Sequence, residues 1–230
     1  MVAVQSTYCS KEVVELLLLL KSNLHARNNQ GNNLLHLFTA HTDPEIGNLI
    51  IDQDQSLLHG KNRSRDQPLH IVAAIGHKDL AFLFIERLNK GADMEARNSS
   101  DLTPFMVSIA AKHKEVIRMF VECGCEIYTH ARHGKTVLEW AIENEHTELL
   151  EVLTDAYNTN HSINLTLLDE HENSLVHATA KSPTATCLSV VLPTSYGEIF
   201  TSAYNKFGYT PLHVATEYGN IELVEALIHV

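Results

Sequence analysis

A short phrase that recurs along the chain constrains its fold more than any other feature. Its cleanest copy, Thr210–Ala215, reads Thr-Pro-Leu-His-Val-Ala, and the copy at Gln67–Val72 reads Gln-Pro-Leu-His-Ile-Val. Weaker copies begin at Asn33, Thr103, Thr136 and Ser174, so that successive first positions are 34, 36, 33, 38 and 36 residues apart. A period of this size indicates one repeated supersecondary unit, and no such unit can bury its apolar face alone. The sequence therefore predicts a stack of repeats.

Each residue type in the phrase suits the start of a helix. Thr or Ser at the first position accepts a backbone N–H as a cap, and proline follows where its missing donor is not needed. Glycine stands two residues before three of the phrases, at Gly31, Gly134 and Gly208, which predicts a turn with positive φ. Each repeat should therefore be a helix, a turn and a second helix. Second amphipathic stretches begin directly after His77, His113, His146 and Asn220.

The phrase and its period resemble the ankyrin repeat, in which Thr-Pro-Leu-His-x-Ala opens the first helix. The resemblance covers nearly the whole chain and implies an all-α solenoid of stacked helix-turn-helix units joined by hairpin-like loops. It also implies that the phrase histidine forms hydrogen bonds between neighbouring loops. We interpret residues 1–230 as a single ankyrin repeat domain. Its seven repeats are 1–27 (partial), 28–61, 62–97, 98–130, 131–168, 169–204 (divergent) and 205–230 (incomplete).

Some segments depart from this pattern. Glu139 stands where the fourth phrase should have histidine, and Pro183 should end the helix of the fifth phrase early. The stretch Thr184–Thr201 is expected to hold a shortened helix and a long loop, and Asp155–Ile163 is a second insertion. Each of these two segments is either a functional elaboration, as long loops often are, or the result of sequence drift. The last helix stops at Val230 without a polar outer face, so we expect further protein after it.

The net charge and the apolar runs argue against several classes of partner. The chain carries 17 basic against 28 acidic residues, for a net charge of -11. Because an acidic surface repels phosphate backbones, neither nucleic acid nor an anionic membrane surface is expected as a partner. The longest apolar run, Leu16–Leu20, is far too short to cross a bilayer, so no membrane insertion is expected. We interpret that run as core at helical spacing.

The cysteines indicate a reducing compartment. Four cysteines at irregular spacing, namely Cys9, Cys123, Cys125 and Cys187, are too few for a disulfide framework. Met1 does not begin a basic region followed by a hydrophobic core, so no secretion signal is expected. The sequons at Asn62, Asn98, Asn160 and Asn164 are therefore interpreted as a product of an Asn-rich chain. We expect a cytoplasmic protein, or one of a host cytosol if the chain is an effector.

No residue pattern points to catalysis, a cofactor or a metal. The strongest competing signal is Cys123-x-Cys125 followed by His130 and His133, which are residue types that bind zinc. Cys125, however, falls where ankyrin repeats have a small buried residue, and the spacings are shorter than those of usual zinc pairs. A nucleophile elbow, a phosphate-binding glycine loop and a Cys-x-x-Cys motif are all missing from the sequence. We expect a protein that is not an enzyme and has no cofactor and no metal.

In ankyrin proteins, partners usually bind the concave side, which is formed by hairpin tips and exposed positions of the first helices. Binding hot spots favour aromatic residues and arginine, and this singles out the last repeat, unless a following repeat covers it. A basic island around residues 132–135 could meet an acidic peptide, or it is only an exposed patch that salt screens. The candidate partner-binding residues are Phe207, Tyr209, Tyr218, Lys206, Arg132, His133, Lys135, Glu143, Arg63 and Asp66.

These features favour a protein-interaction module or scaffold that binds a partner protein through its concave face and loop tips. A rigid surface of this kind lowers the ordering cost of binding. The alternative is the non-catalytic targeting portion of a larger multidomain enzyme, or of a bacterial effector, whose catalytic domain lies outside this chain. The pattern selects neither a particular partner nor an oligomeric state.

Overall fold

The fold is built from short helices joined by tight turns. The computed structural model describes residues 11–88, 94–126, 137–160, 171–181 and 202–228. These residues form eleven α-helices and two 3₁₀ helices and contain no strand, as the repeat pattern predicts. None of the described helices is long and apolar enough to span a membrane. The chain divides into two compact units, unit 1 (Met1–Cys125) and unit 2 (Glu126–Val230).

Unit 1 contains six of the α-helices and both 3₁₀ helices. The phrases that begin at residues 67 and 103 each give a helix pair. The α-helices are α1 (Lys11–Leu19), α2 (Pro44–Gln53), α3 (Pro68–Ile75), α4 (Lys78–Arg87), α5 (Pro104–Ala110) and α6 (Lys114–Glu122), and the 3₁₀ helices are Leu34–Leu37 and Gln55–His59.

Unit 2 contains the other five described helices. They are α7 (Val137–Glu143), α8 (Thr147–Asn160), α9 (Leu175–Ala180), α10 (Pro211–Tyr218) and α11 (Ile221–Ile228). Helices α10 and α11 form the pair that the last phrase predicts. Helix α9 is short and ends before Pro183, in agreement with the expected early break, while the stretch Thr184–Thr201 lies outside the described residues.

The first helices begin where the phrase predicts, because the first residue caps them. The hydroxyls of Thr103, Ser174 and Thr210 accept the backbone N–H three residues later, at 3.3, 3.4 and 3.4 Å. Gln67 holds the same position but forms no such side-chain cap, and its buried Oε1 has no hydrogen-bond partner among the described residues. The third repeat is thus the only one of these four whose cap is incomplete.

The predicted turn before each phrase is left-handed. Gly31 and Gly208 have φ values of +79° and +76°, which confirms the prediction for both, while Gly134 lies outside the described residues. At the same position, two residues before the phrase, the backbone is also left-handed where the residue is not glycine. These residues are Arg65, Asp101 and Glu172, with φ values of +60°, +61° and +59°. The turn geometry is therefore kept even where the side chain disfavours it.

The core of each unit is formed by the leucine of the phrase and by the second helices. Leu35 and Leu69 are almost fully buried, and so is Val176, which takes the leucine position in the phrase that begins at Ser174. In unit 1, Phe84 of α4 packs on Phe38 of the preceding repeat, with ring centroids 6.0 Å apart. This packing between repeats is the burial that a single repeat cannot supply.

The first full repeat and one insertion differ from a regular repeat. Leu34–Leu37 is a 3₁₀ helix, and Phe38 after it is extended, because the Thr42 hydroxyl accepts the Thr39 N–H at 2.8 Å and offers the backbone an alternative to another helical turn.

Helix α8 runs on to Asn160, so the first part of the Asp155–Ile163 insertion extends a helix. That part contains neither glycine nor proline and can continue the helix.

The interpretation of Leu16–Leu20 as core is wrong. Leu16 and Leu19 are 56% and 79% exposed, and Leu17 and Leu20 are exposed as well. Of helix α1, only Val14 is buried. The physical reason is that α1 belongs to the first repeat. In later repeats the equivalent helix face packs on the preceding repeat, whereas in α1 no described residue covers this face.

Candidate partner-binding surface

Histidines of the phrase join neighbouring loops in both units. The Nδ1 atoms of His36, His70 and His177 accept the backbone N–H of their own cap residue, which leaves Nε2–H as the donor. Nε2 then donates to a carbonyl of the following loop: Asp66 at 2.8 Å, Leu102 at 3.1 Å and Tyr209 at 2.9 Å respectively. The predicted loop-bridging role of these histidines is confirmed. Burial lowers the pKa of His36 and His70 from the ordinary value, so both are held as neutral donors.

A series of asparagines five residues before the phrases fixes the loop tips. In unit 1 the Asn98 Oδ1 accepts the N–H groups of Ser100 and Leu102, at 2.9 and 3.1 Å, while its Nδ2 donates to Asp66 Oδ1 at 2.8 Å. The positions are Asn28, Asn62, Asn98 and Asn205. Two of these asparagines, Asn62 and Asn98, also begin sequons, and the interpretation of those sequons as a product of an Asn-rich chain overlooks this role. Their fixed distance from the phrase is the signal that could have identified them.

In unit 2 the same arrangement supports a groove. The Asn205 Oδ1 accepts the N–H groups of Phe207 and Tyr209, each at 3.0 Å, and its Nδ2 donates to Asn173 Oδ1 at 3.0 Å. The backbone N–H of Lys206 donates to the His171 carbonyl at 2.9 Å. These bonds hold the loop that ends in the last phrase against the loop before it, so its tip is rigid.

The groove has a volume of about 430 Å³ and brings together the aromatic candidates of the last repeat. Phe207, Tyr209 and Tyr218 line it and are 62%, 46% and 59% exposed. The Phe207 ring meets the His171 ring edge to face, with centroids 5.4 Å apart. The complete lining is His171, Asn173, Lys181, Asn205, Phe207, Tyr209, Val214, Glu217 and Tyr218. An aromatic rim over a polar floor is an arrangement that can receive a protein side chain.

The charges of the groove are mixed. Lys181 and Glu217 both line it, and the exposed Lys206 lies beside Phe207 in the loop. Neither sign dominates, so the aromatic rings rather than a charged field distinguish this surface from the other described parts of unit 2.

The unit 1 candidates lie on one hairpin, in different surroundings. Arg63 is exposed at the tip, where its backbone N–H donates to the Gln30 carbonyl at 2.9 Å. Asp66 is half-buried, and its carboxylate accepts amide N–H groups from Asn62 at 3.3 Å and from Asn98 at 2.8 Å. Arg63 can therefore reach a partner, whereas the carboxylate of Asp66 already joins two loops.

Several candidates lie outside what the structure describes. Arg132, His133 and Lys135 belong to residues 127–136, which are not described, and the same holds for the side chain of Glu143 at the end of α7. His130 of the zinc motif is among them too. Cys125 is buried, and burial raises the pKa of its thiol far above the usual range, which disfavours the thiolate that zinc needs. Among the described residues, no cluster of His, Cys, Asp and Glu could hold a metal ion.

The repeats match known family models over just over half of the chain. A model described as ankyrin repeats (3 copies) matches residues 69–166, and a single ankyrin repeat matches residues 207–229. The chain belongs to the ankyrin repeat family. The ankyrin repeat is a unit of protein interaction.

Several similar proteins are related to the inhibitors of NF-kappa-B. Human NF-kappa-B inhibitor zeta is 23% identical, with 86% of this chain and 31% of the relative covered. The p105 subunit of nuclear factor NF-kappa-B from Gallus gallus is 24% identical, over 71% of this chain and 16% of the relative. The E3 ubiquitin-protein ligase XBAT33 from Arabidopsis thaliana is 27% identical, over 71% and 29%. The chain spans less than a third of the length of these curated relatives.

A solved structure supports the fold. The crystal structure of the ankyrin repeat domain of Bcl-3, a member of the IkappaB protein family, matches with a TM-score of 0.68 and 22% identity. The match covers 97% of this chain and 95% of that domain. At this identity the likeness establishes an ankyrin repeat fold and nothing about a partner.

Proposed function

We propose that this chain is a protein-binding scaffold whose main contact surface is the groove of unit 2. The observation that carries the proposal is the convergence of Phe207, Tyr209 and Tyr218 around one opening. Aromatic residues supply much of the binding energy in protein interfaces when they fill or line a pocket. All three are exposed at one place, which sets this groove apart from the other described loops.

The rigidity of the loop supports the same proposal. Asn205 and the His177 bridge fix the backbone of Phe207 and Tyr209 from two sides. A surface that is already ordered loses little conformational entropy when a partner binds, so more of the contact energy appears as affinity. Arg63 in unit 1 and the island Arg132, His133 and Lys135 are further proposed contacts.

The relatives suggest a class of partner and a setting. One relative is named an inhibitor of NF-kappa-B, so a transcription-factor subunit of that kind is the first defined protein to test. We place the chain in the cytoplasm, or in a host cytosol if it is an effector. Because this chain matches 29% of a protein named an E3 ubiquitin-protein ligase, XBAT33, a targeting role within a larger enzyme is the second candidate.

The test is an affinity pull-down with the chain as bait, analysed by mass spectrometry, with purified NF-kappa-B as one defined prey. A variant carrying Phe207→Ala, Tyr209→Ala and Tyr218→Ala should lose the partner and keep the helical circular dichroism spectrum. The matched control is Tyr204→Ala, which removes an exposed tyrosine that does not line the groove. Equal retention by the triple variant would reject the groove as the contact surface and direct attention to Arg63 and residues 132–135.

A further inference from the structure

Basic residues are concentrated on three neighbouring hairpins of unit 1, which comprise residues 27–33, 61–67 and 97–103. These hairpins carry five of the 17 basic residues and only two of the 28 acidic ones, although the net charge of the chain is -11. The basic residues are Arg27, Lys61, Arg63, Arg65 and Arg97, and the acidic ones are Asp66 and Asp101. We call Lys61, Arg63 and Arg65 of the middle hairpin the basic tip. All three of these residues are exposed.

The basic tip is fixed between the hairpins on its two sides. The Arg63 N–H donates to the Gln30 carbonyl of the preceding hairpin at 2.9 Å, and the Ser64 carbonyl accepts the Ser99 N–H of the following hairpin at 2.8 Å. Gly31 permits the first of these approaches, because a Cβ there would lie 3.1 Å from the Arg63 nitrogen. Described repeats stand on both sides of the basic tip, so an end of the chain is not the reason for its exposure.

The acidic residues of these hairpins are already engaged elsewhere. The half-buried Asp66 carboxylate accepts amide N–H groups from two asparagine side chains, at 3.3 and 2.8 Å. The Asp101 carboxylate pairs with Arg97 at 3.1 Å. Within the described parts of the chain, no residue forms a hydrogen bond or an ion pair with the side chain of Arg63 or Arg65. Their guanidinium groups are therefore available to a ligand.

The backbone at Arg65 agrees with a role outside the hairpin. Its φ is +60°, at the position where Gly31 and Gly208 stand in two other hairpins. A side chain is strained in this conformation and glycine is not, so the arginine does not serve the turn itself. Arginine suits the binding of carboxylates, because its planar guanidinium can donate to both oxygens of one carboxylate.

We propose that the basic tip binds an acidic segment of a partner protein, whose carboxylates pair with the guanidinium groups of Arg63 and Arg65. Arg27 adds positive charge at the base of the tip, because its Nη1 donates to the Lys61 carbonyl at 2.7 Å. Exposed ion pairs are individually weak, so the segment must carry several carboxylates. The inference rests on the proposed scaffold function, but it does not depend on the groove of unit 2.

Screening by salt explains how a protein with a net charge of -11 can bind an acidic ligand. At an ionic strength of about 0.1 M the Debye length is about 10 Å, so charges farther away than this are largely screened. The ligand then responds to the nearby basic residues and not to the net charge. A nucleic acid, in contrast, presents a long run of phosphates that must also pass over the acidic remainder of the surface.

The probe is a fluorescein-labelled peptide of alternating glutamate and glycine, and fluorescence anisotropy with the full chain measures its affinity. The same peptide with glutamine in place of glutamate reports binding that does not need the carboxylates. A uridine oligonucleotide of equal charge tests whether phosphates serve better than carboxylates. All titrations are made at about 0.1 M salt and repeated at about 1 M, where the Debye length falls to about 3 Å.

Two variants alter the basic tip to different degrees. Arg63→Gln with Arg65→Gln removes the charges, and Arg63→Glu with Arg65→Glu reverses them. Glutamate is compatible with the second position, because Glu172 has the same left-handed conformation in the equivalent turn of unit 2. The matched control is Lys21→Glu with Lys112→Glu, since both lysines are exposed and left-handed and belong to none of the three hairpins. Circular dichroism checks the folding of every variant.

The wild type should bind the glutamate peptide and not the glutamine peptide, and about 1 M salt should abolish the binding. The glutamine variant should bind about tenfold more weakly, and the charge-reversed variant more weakly still. The lysine control and the variant that lacks the groove aromatics should bind as the wild type does.

The proposal would be overturned by a wild type that does not bind the glutamate peptide, or by tip variants that bind it unchanged. Equal weakening in the lysine control would attribute the binding to overall charge, and loss in the groove variant would place the peptide in unit 2. Tighter binding of the oligonucleotide would reject an acidic protein segment as the ligand. A partner that the groove variant loses in the pull-down tests the groove alone, so the two proposals can fail separately.

Discussion

The repeat of α3 and α4 in unit 1 and the repeat of α10 and α11 in unit 2 use the same local design. Both place proline at the first helical position and histidine three residues after the cap, and both end the first helix at a left-handed glycine. That glycine is Gly76 at φ +76° in one repeat and Gly219 at φ +69° in the other. Both repeats form a helix pair with these features, so this design needs only residues within the repeat.

What separates the two repeats is the neighbour that follows. His70 donates to Leu102 and is almost fully buried, whereas His213 is exposed and has no such acceptor among the described residues. A Cβ on Gly76 would lie 2.5 Å from the ring of His113, while a Cβ on Gly219 would meet nothing within 4 Å. Local residues thus determine the helices, and stacking determines how much each position contributes to stability.

The largest expected difference concerns the phrase leucine. Leu69→Ala should destabilise its repeat by about 2–5 kcal/mol, because Leu69 is fully buried and its loss leaves a cavity. Leu212→Ala should cost less than about 1 kcal/mol, since Leu212 is only half-buried. Hydrogen exchange of segments 68–75 and 211–218, read by mass spectrometry, compares the two. Equal losses would mean that the last repeat is covered in solution.

The glycine pair should give the next largest difference. Gly219→Ala should cost about 1 kcal/mol, the price of a left-handed alanine. Gly76→Ala carries the same strain and must also displace His113, whose Nε2 donates to the Ala74 carbonyl at 2.9 Å, so about 2–3 kcal/mol is expected. Urea unfolding monitored by circular dichroism measures both. Should the two substitutions cost the same, the close approach of His113 to Gly76 would be refuted.

Acidification should weaken the stabilisation that depends on the covered histidines His36 and His70. The pKa values of His36 and His70 are lowered in the folded state, so the unfolded chain binds protons more readily. Their contribution to stability is complete above the unfolded pKa of about 6.5 and is lost as pH falls from there through the folded values. Thermal unfolding between neutral and acidic pH should show this loss. His70→Gln should weaken the pH dependence, because it removes one of the two groups whose pKa is lowered on folding; an unchanged pH dependence would contradict the burial of His70.

Much of the fold could be predicted from the sequence, because the residues that cap the helices and form the turns lie at fixed spacing within a short phrase. The caps at Thr103 and Thr210 and the start of α4 after His77 follow from the phrase and its spacing. The bridge from His36 follows only from the resemblance to ankyrin repeats. The exposure of Leu16 could not be predicted that way, since an amphipathic helix looks the same whether or not a neighbour covers it. The groove needed the fold as well, because Lys181 and Tyr218 become neighbours only when two repeats stack.

The smallest expected effect concerns the cap residue. Gln67 occupies the cap of α3 without a side-chain cap bond, whereas the Thr210 hydroxyl caps α10 and also contacts His213 Nδ1 at 2.7 Å. Gln67→Thr should therefore stabilise unit 1 by about 1 kcal/mol, and Thr210→Gln should destabilise the last repeat by a similar amount. Because the cap forms within one repeat, both changes should have the same magnitude although one repeat is covered and the other is open. Urea unfolding of both variants measures this, and a much larger effect at Gln67 would show that stacking, and not only the local design, sets the strength of a cap.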